Sequence, residues 1–128
     1  MLDPVGETPR PGAVLAAQYA LIAQAIFDLL AALGVGAYYG WAMSLAAQVS
    51  GGGWWLPAAS GGLPLVVGVA LAVATAASAW ALSTRHPTAW LSGVGVCAVH
   101  LVLNPCCAVL PIVVIALLVR NDVRQWLG

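Results

Sequence analysis

From Ala13 to Met43 the chain carries a single charged side chain, Asp28, in a run more than long enough to cross a bilayer. A hydrocarbon core of about 30 Å takes about 20 helical residues, and lipid forces every backbone polar group to be satisfied within the segment. The run is therefore a helix. An ionisable group at that depth costs roughly 2.5 to 3.5 kcal/mol on insertion scales, so Asp28 requires a partner, a water-filled cavity or a proton.

The rest of the 128 residues extends the same pattern. The chain is 62% hydrophobic and 6% charged, against about 25% charged in soluble domains, which makes it an integral membrane protein. The polar stretches at 1–12, 50–62, 84–88 and 121–128 are too short for a separate soluble domain, so one membrane domain over 1–128 is expected. Lysine is absent, and the four arginines (Arg10, Arg85, Arg120, Arg124) all lie outside the apolar runs. Nucleic-acid binding has no electrostatic footprint in such a chain. Asp3 and Glu7 precede Arg10, unlike the basic start of a signal peptide, and the first apolar run is expected to stay uncleaved.

The expected fold is an all-α four-transmembrane-helix bundle, a polytopic membrane protein with helices at about 13–43, 63–82, 88–103 and 106–120. The first run exceeds one crossing and tilts or emerges, with Tyr38, Tyr39 and Trp41 at the headgroups. Pro64 opens the second span and Trp80 marks its end at an interface. The stretch from Thr88 to Val119 would measure about 48 Å as one helix, too long for a single crossing. Asn104 and Pro105 break it into a tight hairpin of two short helices, and Pro111 kinks the second.

Four spans put Arg10, the Arg85 and His86 turn, Arg120 and Arg124 on one side. The positive-inside rule then places both termini in the cytoplasm, in a multi-pass protein of the inner (plasma) membrane. The segment 44–62 becomes an outward loop containing Gly51, Gly52 and Gly53, then Trp54 and Trp55, Pro57, and Gly61 with Gly62. Its tryptophans either anchor the loop among headgroups or cap an opening between helices. The tail from Arg120 to Trp126 reads as amphipathic, with Trp126 in the interface and Arg120 and Arg124 on anionic headgroups, each worth about 1 kcal/mol.

Small or polar residues recur every four positions along the first helix: Ala16, Ala20, Gln24, Asp28, Ala32, Gly36, Gly40 and Ser44. That spacing lets helices approach closely. Shorter stripes are Gly68, Ala72 and Ala76 in the second helix and Ala89, Gly93 and Cys97 in the third. At 1.5 Å per residue Asp28 lies about 22 Å from Ala13, and His100 about 18 Å from Thr88. His100 is the one basic side chain within a span and the natural partner of Asp28, with Gln24 and Asn104 one turn away. The group reads as a polar clasp fixing helix packing, as a proton or cation site, or as a face for a partner protein.

Cys97 and His100 share a helix face, and Cys106 with Cys107 follows the turn. Thiolates and an imidazole at that density suit Cu(I) or Zn, although the spacing matches no strong zinc signature and buried cysteine is common as packing. Cys106 and Cys107 are expected near the outward, oxidising side of the membrane, so a disulfide to Cys97 or to another subunit is a further reading. No nucleophile elbow, zinc-protease helix, phosphate loop or paired-cysteine motif occurs, and three of the four carboxylates are terminal. A non-enzymatic role is expected, and no cofactor is named by the sequence.

Three segments carry a resemblance in layout: Arg10-Pro11-Gly12-Ala13-Val14, the turn Arg85-His86-Pro87-Thr88-Ala89-Trp90, and the ending from Leu117 to Trp126. Together the chain resembles small uncharacterised four-span bacterial inner-membrane proteins, which implies a fold and carries no activity. The lone carboxylate in the first helix is also similar to small multidrug transporters, although those use a glutamate. The expected role is helix association within the lipid bilayer, as an accessory subunit among other membrane subunits or by self-association. The alternatives are a small transporter or channel using Asp28 and His100, and a metal or redox site at Cys97, His100, Cys106 and Cys107.

Overall fold

The computed structural model describes residues 9–105 and 108–128, and all regular structure among them is helical. Helix α1 is Gly12–Ser50, α2 Trp55–Ser83, α3 Ala89–Leu103, α4 Val109–Leu118 and α5 Asn121–Leu127. Helices α1 and α2 are both long and apolar enough to cross a membrane. In their most apolar stretches only 28% and 33% of residues are buried, the reverse of a soluble core helix. Ile26, Leu30, Val66, Val73, Leu91, Val102 and Val109 all point outward. Exposed apolar side chains on this scale are the kind of surface that lipid or a protein partner covers.

The outward loop expected at 44–62 is mostly helix. Helix α1 runs on to Ser50 and α2 starts at Trp55, leaving only a short turn between them. Pro57 falls in the first turn of α2, where a missing N–H removes no intrahelical bond. Pro64 does not open the helix but lies inside it, leaving the Ser60 carbonyl without its usual donor. The tail, too, is more ordered than an extension of the fourth span, because Arg120 adopts an extended conformation (φ −62°, ψ 140°) that ends one helix and starts α5.

Both long helices end in the same way. Gly51 takes φ +70° and the Gly52 N–H donates back to the Ala47 carbonyl at 3.0 Å, closing a Schellman cap on α1. At the end of α2, Arg85 takes φ +51° and the His86 N–H donates to the Ala81 carbonyl at 3.0 Å. A glycine is expected at that left-handed position, and an arginine there costs about 1 kcal/mol of backbone strain. Its side chain supplies the compensation, since Nη2 donates to the Trp126 carbonyl and the guanidinium lies 4.7 Å from the Trp126 ring centroid. Arg85→Gly should therefore leave thermal stability within about 1 kcal/mol of wild type, whereas Arg85→Ala, which keeps the strain and loses the contacts, should fall below both. Melting of the two variants in one detergent checks the order.

The chain divides into two compact units, Ala25–Val73 and the combination of Met1–Gln24 with Ala74–Gly128. In the Ala25–Val73 unit, positions 25–50 of α1 and 55–73 of α2 form an antiparallel hairpin at near backbone contact. A Cβ built on Gly61 would meet the Gly36 carbonyl oxygen at 2.8 Å and the Gly40 Cα at 3.0 Å. One built on Gly68 would lie 2.3 Å from the Ala32 Cβ. The small-residue stripe of α1 is thus occupied at Ala32, Gly36 and Gly40 by the chain's own second helix.

In the other unit, Val14, Ala17 and Leu21 of α1 pack with Ala79 and Leu82 of α2, and with Ala89 and Cys97 of α3. Val114 and Leu118 of α4 and Val123 and Trp126 of α5 complete that core. The α3 stripe works as expected, with Gly93 so close to α4 that an added Cβ would lie 2.8 Å from Leu118 Cδ1. The part of α1 in this unit is buried at Val14, Ala17, Leu21 and Gln24, steps of three and four that hold one face at 3.6 residues per turn. Ala16, on the expected every-fourth stripe, is exposed because steps of four alone drift around the helix.

Candidate functional site

Five polar side chains inside the apolar helices are buried, whereas Gln48 and Ser50 near the end of α1 are exposed. In the unit built from the chain's two ends, Gln24 of α1, Thr75 and Ser78 of α2 and His100 of α3 are 5%, 0%, 2% and 4% exposed. Asp28, in the Ala25–Val73 unit, is 9% exposed. Gln24, Asp28, Thr75 and His100 are each engaged in an interaction, in keeping with the rule that buried polar groups are satisfied. Thr75 and Ser78 escaped the sequence reading. The available signal was that they are the only hydroxyl side chains between Leu63 and Leu82, about one helical turn apart.

The chemistry of His100 is set by its own helix. Nδ1 lies 2.8 Å from the Val96 carbonyl oxygen, which can only accept, so Nδ1 carries a proton. In the neutral ring Nε2 is then an acceptor, and in the imidazolium it is a donor. Asn104 does not share this buried environment. It is exposed, it terminates α3 with φ −141° and ψ 70°, and its backbone N–H donates to the His100 carbonyl at 2.8 Å. On the Asp28 side, the backbone carbonyl of Asp28 would stand 3.5 Å from a Cβ on Gly68, so the carboxylate sits on the stretch of α1 where the hairpin is tightest.

Cys97 is a buried free thiol on the α3 face that also carries His100. Among the described residues no three of His, Cys, Asp and Glu converge to hold a metal ion. Cys106 and Cys107, on which the copper, zinc and disulfide readings depend, lie outside the described residues.

The tryptophans fall into two classes. Trp41, Trp54, Trp55 and Trp80 are exposed, between 59% and 83%, as side chains set among headgroups would be. Tyr38 stacks edge-on with Tyr39 at 5.5 Å and meets Trp41 at 6.5 Å, giving α1 an outward aromatic cluster. Trp126, read from the sequence as a further anchor, is only 7% exposed and belongs to the core. Around it the arginines gather: Arg10 lies 5.6 Å from its ring centroid and also donates to the Leu82 carbonyl at 3.5 Å, and Arg85 holds its other contacts. Arg124 lies over Trp90 at 5.7 Å, and Trp90 Nε1 donates to the Leu118 carbonyl at 3.2 Å. Arg120 turns instead to Asp122, 3.1 Å away, and its hydrogen bond holds that carboxyl below the usual carboxylate range.

All four arginines of the chain thus sit in one compact unit, around the turn after α2 and the short helix α5. Comparison with known protein families, with curated proteins and with solved structures finds no match.

Proposed function

We propose that the chain is a four-span helical protein of a bacterial inner membrane, with both termini cytoplasmic, that works by helix association as an accessory subunit or as a homo-oligomer. The gathering of Arg10, Arg85, Arg120 and Arg124 in one unit supports a single cationic side, which the positive-inside rule assigns to the cytoplasm.

Helix length carries the association reading. At 1.5 Å per residue, α1 with 39 residues and α2 with 29 measure about 58 and 43 Å, beyond the thickness of the hydrocarbon core. Helices α3 and α4, with 15 and 10 residues, measure about 22 and 15 Å. A short hairpin ending in the exposed Asn104 and Pro105 leaves its polar tip within lipid unless the bilayer thins or another helix covers it. Association covers it directly. At Ala32, Gly36 and Gly40 the close-packing stripe of α1 is occupied within the chain, and the partner is expected on the outward faces of α3 and α4, at Leu91, Val102 and Val109. Blue-native electrophoresis and mass photometry in a mild detergent should give a species larger than one chain; a monomer alone under both would overturn the proposal.

A second reading rests on the burial of two ionisable groups, Asp28 and His100, within membrane-length helices. If they carry a proton or cation, Asp28→Asn and His100→Ala should each lower flux into proteoliposomes at least tenfold while the protein still inserts. Flux equal to wild type in both variants would leave the pair with a packing role only.

A further inference from the structure

Between the last turns of α2 and the first turns of α3 an open crevice of about 320 Å³ is walled by Ala74, Ala77, Ala81 and Val96, and His86 and Thr88 stand at its mouth. Ser78, Trp80 and Ser92 complete the lining of this slot, most of whose surface is apolar. At the mouth, His86 Nδ1 lies 2.8 Å from Thr88 Oγ1 and accepts from the Thr88 backbone N–H at 3.3 Å. A backbone N–H only donates, so the neutral ring carries its proton on Nε2. That Nε2–H belongs to an exposed side chain at the cationic end of the unit. Arg85 is the adjacent residue, and the other arginines are gathered about the same turn and α5. Their summed positive potential acts over a Debye length of about 10 Å.

We propose that this crevice is a binding site for one anionic phospholipid of the cytoplasmic leaflet, with an acyl chain in the slot and the phosphate at the His86 turn. The site rests on the membrane reading above. Charge complementarity selects the ligand: a donor N–H, with Arg10 and Arg85 gathered at the same end of α2, favours a phosphodiester whose headgroup adds no positive charge. Trp80, 63% exposed beside the slot, suits the headgroup boundary where the glycerol would lie.

Native mass spectrometry of the full chain tests this, with the protein released from neutral-detergent micelles doped with equal amounts of phosphatidylglycerol and phosphatidylcholine. One phosphatidylglycerol should be retained, about fivefold to tenfold more often than phosphatidylcholine. Ala77→Trp, which fills the slot without removing a contact, should abolish retention. His86→Ala, at an exposed turn position, should reduce the preference severalfold and serves as the deciding variant if Ala77→Trp does not fold. Equal retention of the two lipids, or retention unchanged in His86→Ala, would overturn the site. Competition by glycerol 1-phosphate, which lacks acyl chains, would overturn the role of the slot. Alkaline carbonate extraction of membranes separates the two readings: a protein that washes off overturns the membrane assignment itself, whereas one that stays and selects no lipid overturns only this site.

Discussion

Gly61→Ala should destabilise the protein by about 1 to 3 kcal/mol, while Gly62→Ala, one residue along the same helix, should be neutral or slightly stabilising. The contrast follows from what each new methyl group meets. At Gly61 the nearest atoms are backbone, the Gly36 carbonyl oxygen and the Gly40 Cα and N, all within 3.2 Å, so accommodation requires α1 and α2 to separate. At Gly62 nothing lies within 4 Å, and alanine only adds helix propensity. Gly36→Ala should resemble Gly61→Ala, because its Cβ would lie 2.9 Å from the Gly61 carbonyl oxygen. Gly34→Ala should resemble Gly62→Ala, with open space around it. Thermal denaturation followed by size-exclusion chromatography in one detergent ranks the four. If all four shifted equally, helix propensity and not close approach would govern the hairpin.

The same glycines explain where the sequence misleads. Gly51 to Gly53, Pro57, Gly61 and Gly62 together have the composition of a loop, and in water that composition would break a helix. Only Gly51 serves as punctuation, at the left-handed position of the Schellman cap. Gly61 is a contact residue, a role invisible without knowing that position 61 faces position 36. Pro57 is harmless in a first turn, and Pro64 is tolerated inside α2. Apolar length, by contrast, was readable throughout, because lipid-length runs with so little charge admit few structures besides helices.

Site residues divide on the same line. Burial of Gln24, Asp28 and His100 was legible, since polar groups in an apolar helix turn inward when they can. Thr75 and Ser78 were not singled out because a hydroxyl can satisfy itself on its own helix, as Ser78 Oγ does on the Ala74 carbonyl at 2.9 Å. Asn104 was misplaced because one turn beyond His100 the helix ends, and the residue that looked like a fourth polar neighbour is its cap. That three of the arginines pack on tryptophans was not legible, because each contact joins segments that are distant in the sequence.

Trp126→Ala is the expected largest single loss, about 3 to 5 kcal/mol, because it empties a core position and leaves two guanidinium groups without the ring they pack on. A tryptophan that merely anchored the tail among headgroups would cost far less, so the magnitude discriminates between the two roles. Trp126→Phe sharpens the test. The indole Nε1 is buried with no hydrogen-bond partner among the described residues, and an unmet buried donor carries a penalty of about 1 to 3 kcal/mol. Phenylalanine keeps an aromatic face for Arg10 and Arg85 and removes that donor, so its loss of packing volume is offset and the variant should lie much closer to wild type than to alanine. Arg10→Ala and Arg85→Ala should each reproduce only part of the alanine loss, and in the Trp126→Ala background each should cost less than in wild type, since the ring is gone while the hydrogen bonds to the Leu82 and Trp126 carbonyls remain. Additive losses in that double-mutant cycle would mean that the arginines act through other contacts, and that α5 is held by the burial of Val123 and Trp126 alone.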